Sequence, residues 1–289
     1  MILNQIRQRL TAVELLPDFR ALLLEVVAQH DHDLRIHANH RLPFEIFYAL
    51  GGQEDHIILP FASAWSLLDI IALRLDHLYD DDPEEQPLPT APNVAASYNL
   101  ILALYAAAES LLDDLYDYGV PAQRLVQLKR LWNDCVLVAM SGEHRDLVSA
   151  RATADASMQL DCYQQMVQAK AGALFALPFA GAATLVTEDD ATIKACHFLG
   201  MVYGTLLQLG DDLLDRIDQK EYSGLTLPSA YANAVRHVSL PQDAGDATLN
   251  EYWLYARAAY YTQIDNVLSQ VNDARLTTCV HRLFGTMFG

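Results

Sequence analysis

The 289-residue chain is poor in the residues that punctuate and staple small folds: it has 13 glycines, 11 prolines and four cysteines. So few turn-formers favour long elements with few connections over a protein of many short hairpins. The cysteines (Cys135, Cys162, Cys196 and Cys279) include no C-x-x-C pair. That argues against a zinc knot or a disulfide framework and leaves reduced thiols as the expectation. Positive charge is scarce too, with 19 Lys and Arg against 37 Asp and Glu, a net charge of −18. Such a surface repels nucleic acid and anionic lipid, so neither is expected as a partner. An anionic ligand would need cations to reverse the local field, and bound metal ions can supply them. There is no run of 18 consecutive apolar residues, and the N-terminal MILNQIRQRLTAVELL carries polar groups every few residues. The reading predicts no signal peptide, no transmembrane segment and a soluble, cytoplasmic protein.

What is present is apolar and periodic. Hydrophobic residues make up 52% of the chain and charged residues 19%, enough for a substantial core. Over residues 1–29, Ile2, Ile6, Leu10, Val13, Leu16, Leu22 and Val26 fall on one stripe of a 3.6-residue period. Pro43 can open a helix from Phe44 to Leu50, closed by Gly51-Gly52, and Pro60 can open another that runs to about Asp80. Residues 81–92 hold four prolines and four acids, which reads as a loop. Further helices are expected at about 93–118, 121–141, 155–187 (broken near Pro178), 189–219, 228–238, 248–272 and 275–287. With no alternating strand, internal repeat or linker, the expectation is one all-α domain over residues 1–289.

Two acidic clusters interrupt this apolar background, Asp76-His77-Leu78-Tyr79-Asp80 and Gln208-Leu209-Gly210-Asp211-Asp212-Leu213-Leu214-Asp215. In each, two carboxylates stand four residues apart, Asp76 with Asp80 and Asp211 with Asp215, and so share one helix face. Like charges at that spacing repel by a few tenths of a kcal/mol in water (roughly 0.2–0.5), and by more when desolvated. Acids on a solvated helix face are common, but the second cluster sits inside a strongly apolar run, where exposed acids are out of place. Mg²⁺ gives them a reason to coexist, because it prefers one or two carboxylates together with water and phosphate oxygens. Two such pairs facing each other across a helical bundle could hold Mg²⁺ ions around a diphosphate.

The stretch QLGDDLLD, followed by Leu225-Thr226-Leu227-Pro228, resembles the second aspartate-rich motif of the trans-isoprenyl diphosphate synthases (polyprenyl synthetase family). DHLYD at 76–80 is similar to that family's first DDxxD motif, with His77 in place of the second aspartate. Gly142-Glu143-His144-Arg145-Asp146 resembles the GQxxD signature, and Lys170-Ala171-Gly172-Ala173-Leu174-Phe175 resembles K-T-x-x-L-F. The matches keep the family's order over roughly residues 35–230. The resemblance implies a bundle of the isoprenoid synthase type with a central cavity, and a homodimer. It also implies Mg²⁺, three ions with bound diphosphate, ligated by Asp76 and Asp80 from one side and by Asp211 and Asp215 from the other. Asp212 would be a further ligand or support one, and Lys170 would contact the diphosphate. Gln208 aligns with the motif's glutamine. Lys220 and Arg41 are weaker candidates for the substrate, and Ile71, Ala72, Tyr98, Leu102 and Tyr105 would line an apolar cavity.

The departures from the pattern are informative. Where the family has an arginine pair before G-K-P-T, this chain has Glu85 and Gln86 before Pro89-Thr90. The early G-K-R-x-R-P segment appears as Ala38-Asn39-His40-Arg41-Leu42-Pro43, and Asp69 stands in the place of a histidine. A second diphosphate held without metal needs cationic forks, so these changes imply a degraded isopentenyl diphosphate subsite. The implied activity is transfer of a prenyl group from an allylic isoprenyl diphosphate. Open alternatives are a terpene cyclase, a peptide-prenylating enzyme or a noncatalytic subunit of a synthase.

Overall fold

The computed structural model describes residues 1–29, 34–80, 93–149, 156–217 and 245–288. Those residues contain no strand. Their helices are α1 (Ile2–Ala12), α2 (Pro17–Gln29), α3 (Leu34–Ala49), α4 (Asp55–Asp80), α5 (Val94–Asp113), α6 (Ala122–Ser149), α7 (Ala156–Val167), α8 (Ala173–Val186), α9 (Asp190–Ile217), α10 (Gly245–Val271) and α11 (Ala274–Phe288). A π-turn, Gln168–Gly172, joins α7 to α8. The all-α expectation therefore holds for the described residues. The expected loop at 81–92 and helix at 228–238 lie outside them.

The boundaries differ from the sequence reading mainly at prolines. The stripe over residues 1–29 is two helices, because Val13 turns extended (φ −91°, ψ 138°) and Pro17 then opens α2. Arg20 donates from Nη2 to the Val13 carbonyl at 3.0 Å, satisfying an acceptor exposed at that break. Pro43 lies inside α3 instead of opening it. A proline there removes the hydrogen bond to the carbonyl four residues back. That carbonyl, of Asn39, accepts instead from the indole Nε1 of fully buried Trp65 at 3.0 Å. Pro60 and Pro178 likewise sit within α4 and α8, so the break expected near Pro178 is absent and the irregularity falls earlier, at the π-turn. Gly51 does close α3, with φ 97° and the Gly52 amide donating to the Phe47 carbonyl at 2.9 Å.

The chain packs as two compact units: Met1–Arg130 with Gly181–Glu188, and Leu131–Ala180 with Asp189–Gly289. In the first, α4 packs against α1, α3 and α5, burying Phe61, Trp65, Leu67 and Ile70 with Leu42, Ile46, Leu100 and Leu104. In the second, α9 packs against the π-turn, α7 and α10. Tyr203 centres an aromatic cluster there, with ring centroids 5.6 Å from Phe175, 5.8 Å from Phe179, 5.4 Å from Phe284 and 5.2 Å from Phe288. Such contacts add about 0.5–1.5 kcal/mol per pair beyond burial. The four cysteines are free thiols; burial pushes Cys135 and Cys196 up to about 12.

Among the described residues three stretches, Asp55–Asp76, Val94–Tyr116 and Asp161–Val186, are long and apolar enough to cross a membrane by length and composition. They are not uninterrupted apolar runs, since polar or charged residues such as Asp69, Glu109 and Lys170 fall within them. Of their most apolar windows, 67%, 39% and 72% is buried within the protein, so the first and third are largely committed to internal packing.

Candidate functional site

In the first unit the chemistry-bearing residues lie on α4. Asp76 is half-buried near its end, and Asp80 is its last residue, with a side chain outside the described residues. Asp69 lies two turns before Asp76, which puts it on the same side of the helix. It sits in the apolar run Leu67 to Ile71, where an ionised carboxylate needs a partner. His40 of α3 lies close by, with Nε2 3.7 Å from Asp69 Oδ2, an ion pair when the imidazole is protonated; their side chains are only 8% and 12% exposed. Two positions at which the sequence departs from the G-K-R-x-R-P segment and from the histidine thus meet in one buried pair. Arg41, the next residue, has a side chain 75% exposed and pairs with Glu45 at 3.5 Å. His40 and Arg41 also line a cavity of about 890 Å³ with Arg7, Phe44 and Tyr48. Ile71 is buried and Ala72 half-buried, whereas Tyr98 and Leu102 on α5 are exposed. Tyr105 donates its hydroxyl to Glu109 at 3.4 Å.

In the second unit two groups of side chains stand out. Lys170 is carried by the π-turn, a widened turn that interrupts the helical ladder and re-aims the side chain. Its Nζ lies 3.0 Å from Glu143 Oε2 and 3.1 Å from Asp146 Oδ2, both on α6. The two helical segments touch there backbone to backbone, since a Cβ on Gly142 would stand 2.3 Å from the Lys170 amide nitrogen. The second group surrounds Asp212 on α9, which is buried. Tyr163 of α7, fully buried, donates its hydroxyl to Oδ2 at 2.5 Å, and Gln208 donates from Nε2 to Oδ1 at 2.8 Å. Two neutral donors on one carboxylate favour its ionised form and fix its orientation. Asp211, beside it, is half-buried; Asp215 follows one turn later with its side chain outside the described residues. Lys220 and the Leu225-Thr226-Leu227-Pro228 segment lie outside them entirely.

The structure therefore brings Lys170 together with the two acidic positions of the GQxxD-like motif, and Gln208 together with Asp212. Tyr163 was not singled out in the sequence, where a tyrosine two turns before Lys170, near apolar Met166 and Val167, reads as ordinary core. Among the described residues no group of three or more His, Cys, Asp or Glu side chains is arranged to hold a metal ion, and Asp80 and Asp215 do not enter that count. The chemistry of the donor set nonetheless fits Mg²⁺: the candidates are aspartate oxygens, hard ligands suited to that ion. One of them, Asp211, stands beside a carboxylate oriented by two hydrogen bonds.

Comparison with known proteins gives the family and the fold. A family model described as polyprenyl synthetase matches residues 46–226. The chain is similar to a geranylfarnesyl diphosphate synthase of Natronomonas pharaonis, 30% identical over 174 residues that cover 58% of this chain and 48% of that protein. The match thus spans about half the length of that relative. In structure it resembles a geranylgeranyl pyrophosphate synthetase from Geoglobus acetivorans (TM-score 0.77, 17% identity, 100% of this chain and 95% of that one). It also resembles a geranyltranstransferase from Thermotoga maritima (TM-score 0.70, 19% identity, 99% and 94%). A third likeness is to a geranyltransferase from Helicobacter pylori in a complex with magnesium and isoprenyl diphosphate (TM-score 0.72, 17% identity, 99% and 94%). These likenesses show a shared all-α fold.

Proposed function

Since the chain belongs to the polyprenyl synthetase family, we propose that it is a Mg²⁺-dependent prenyltransferase that ionises an allylic isoprenyl diphosphate and passes the prenyl group to an acceptor. The observation that carries this reading is the hold on Asp212: a buried carboxylate given two neutral donors, next to Asp211 on the same helix. A protein with no cation to bind gains nothing from keeping that charge in a desolvated place. In this reading Asp76, Asp80, Asp211 and Asp215 hold the metal, while Tyr163 and Gln208 keep Asp212 charged and oriented. Bound Mg²⁺ supplies Lewis-acid stabilisation of the departing pyrophosphate. Lys170 contributes a point charge to the same leaving group. Apolar side chains such as Ile71 exclude water from the allylic tail, which protects a cationic carbon from premature capture.

The buried His40–Asp69 pair supports a weakened second diphosphate subsite. A carboxylate at position 69 adds negative charge where the resemblance implies a cation-rich pocket, and His40 is already engaged with it. Exposed Leu102 on α5 is consistent with burial against a second copy of the chain, hence a homodimer.

The test is product analysis after supplying ten-, fifteen- and twenty-carbon allylic diphosphates with Mg²⁺, alone and with labelled isopentenyl diphosphate. We expect the allylic substrate to be consumed and little label to enter products. Efficient elongation would show that the subsite reading at Asp69, Glu85 and Gln86 is wrong. No consumption of any substrate would favour the noncatalytic subunit.

A further inference from the structure

Position 143 separates this chain from the GQxxD pattern it resembles: an amide there is neutral, whereas Glu143 carries a charge. The structure shows where that charge goes. Glu143 and Asp146 stand three residues apart on one face of α6, and both reach the same Lys170 ammonium, at 3.0 and 3.1 Å. The three side chains are 12%, 17% and 19% exposed, so water screens them weakly. The close backbone approach of Gly142 to Lys170 fixes the lysine against this pair. Glu143 thus adds a second carboxylate to the one that Asp146 already places on this ammonium. A diphosphate drawing on Lys170 must therefore compete with two anions that are already in place.

We propose that Glu143 is a positioning residue for the leaving group, acting through Lys170: it lowers the net charge the lysine presents and so weakens the hold on pyrophosphate. The inference rests on the reading that Lys170 meets the diphosphate. Its consequence is a site in which the metal-bound carboxylates carry a larger share of diphosphate binding than the lysine does. A site that holds pyrophosphate less tightly also releases it more readily after transfer.

The test is calorimetric titration of inorganic pyrophosphate in excess Mg²⁺ into the native protein, Glu143→Gln and Glu143→Asp. Glu143→Gln keeps the shape and removes the charge, and is expected to bind about tenfold more tightly, the equivalent of about 1.4 kcal/mol. Glu143→Asp keeps the charge and is expected to show no such gain. The advantage of Glu143→Gln should shrink as salt rises from about 0.05 to 1 M, a range over which the Debye length falls several-fold; a packing effect would not respond in this way. Native protein that binds pyrophosphate with no gain in Glu143→Gln overturns this inference alone, as does an equal gain in Glu143→Asp. Failure of all three proteins to bind overturns the proposed function and this inference with it.

Discussion

Asp212 illustrates how much a single side chain can reveal once its partners are known. The sequence marked it as an acid in apolar surroundings, but whether it ligates metal or supports a neighbour was open. Both of its oxygens accept hydrogen bonds, from Tyr163 and Gln208, and in the proposed reading it supports the helix that carries Asp211 while Asp211 meets the metal. Tyr163→Phe removes one donor and leaves a buried carboxylate oxygen short of a partner. It is expected to cost about 1–3 kcal/mol, read from denaturant midpoints, and to weaken Mg²⁺-pyrophosphate binding in parallel. At this scale the candidate aspartates and Lys170 were legible from residue type and spacing. Tyr163 was not, because an isolated tyrosine in an apolar helix reads as ordinary core until its hydroxyl is seen to meet a charge.

Helices were the most legible elements and their proline-bearing stretches the least. Pro43 was read as a helix start because sequence alone cannot show that the Asn39 carbonyl receives a bond from the distant Trp65. The π-turn was equally hidden, since nothing in Gln168–Gly172 marks it locally. Its position is set by close backbone approaches on both sides. A Cβ on Gly142 would stand 2.3 Å from the Lys170 nitrogen, and one on Gly204 would stand 2.3 Å from the Ala171 carbonyl oxygen. Gly142→Ala forces α6 and the turn apart, and overpacking of this kind costs about 1–3 kcal/mol. A lowered unfolding midpoint, together with a loss of pyrophosphate affinity larger than that seen for an exposed-site control, is the expected outcome. Unchanged affinity would mean that the turn does not depend on this contact to place Lys170.

For the molecule as a whole, four motifs in order carried the family assignment that the comparisons bear out over residues 46–226. Composition contributed a question more than an answer: how a chain of net charge −18 could accept a diphosphate. In the proposed reading Mg²⁺ held by aspartates would resolve it, because the ligand would then meet cations before it meets the protein's own field. The two motifs stand 135 positions apart, so sequence could name their residues without showing that both serve one reaction. The most direct measurement is the rate of pyrophosphate release from a fifteen-carbon allylic diphosphate, with and without Mg²⁺, for the native protein, Asp76→Ala and Asp211→Ala. The account predicts release that stops on chelation and falls at least about 10²-fold in each variant, the scale on which lost electrostatic stabilisation of a transition state is felt. Undiminished release in either variant, or release that survives chelation, would contradict it.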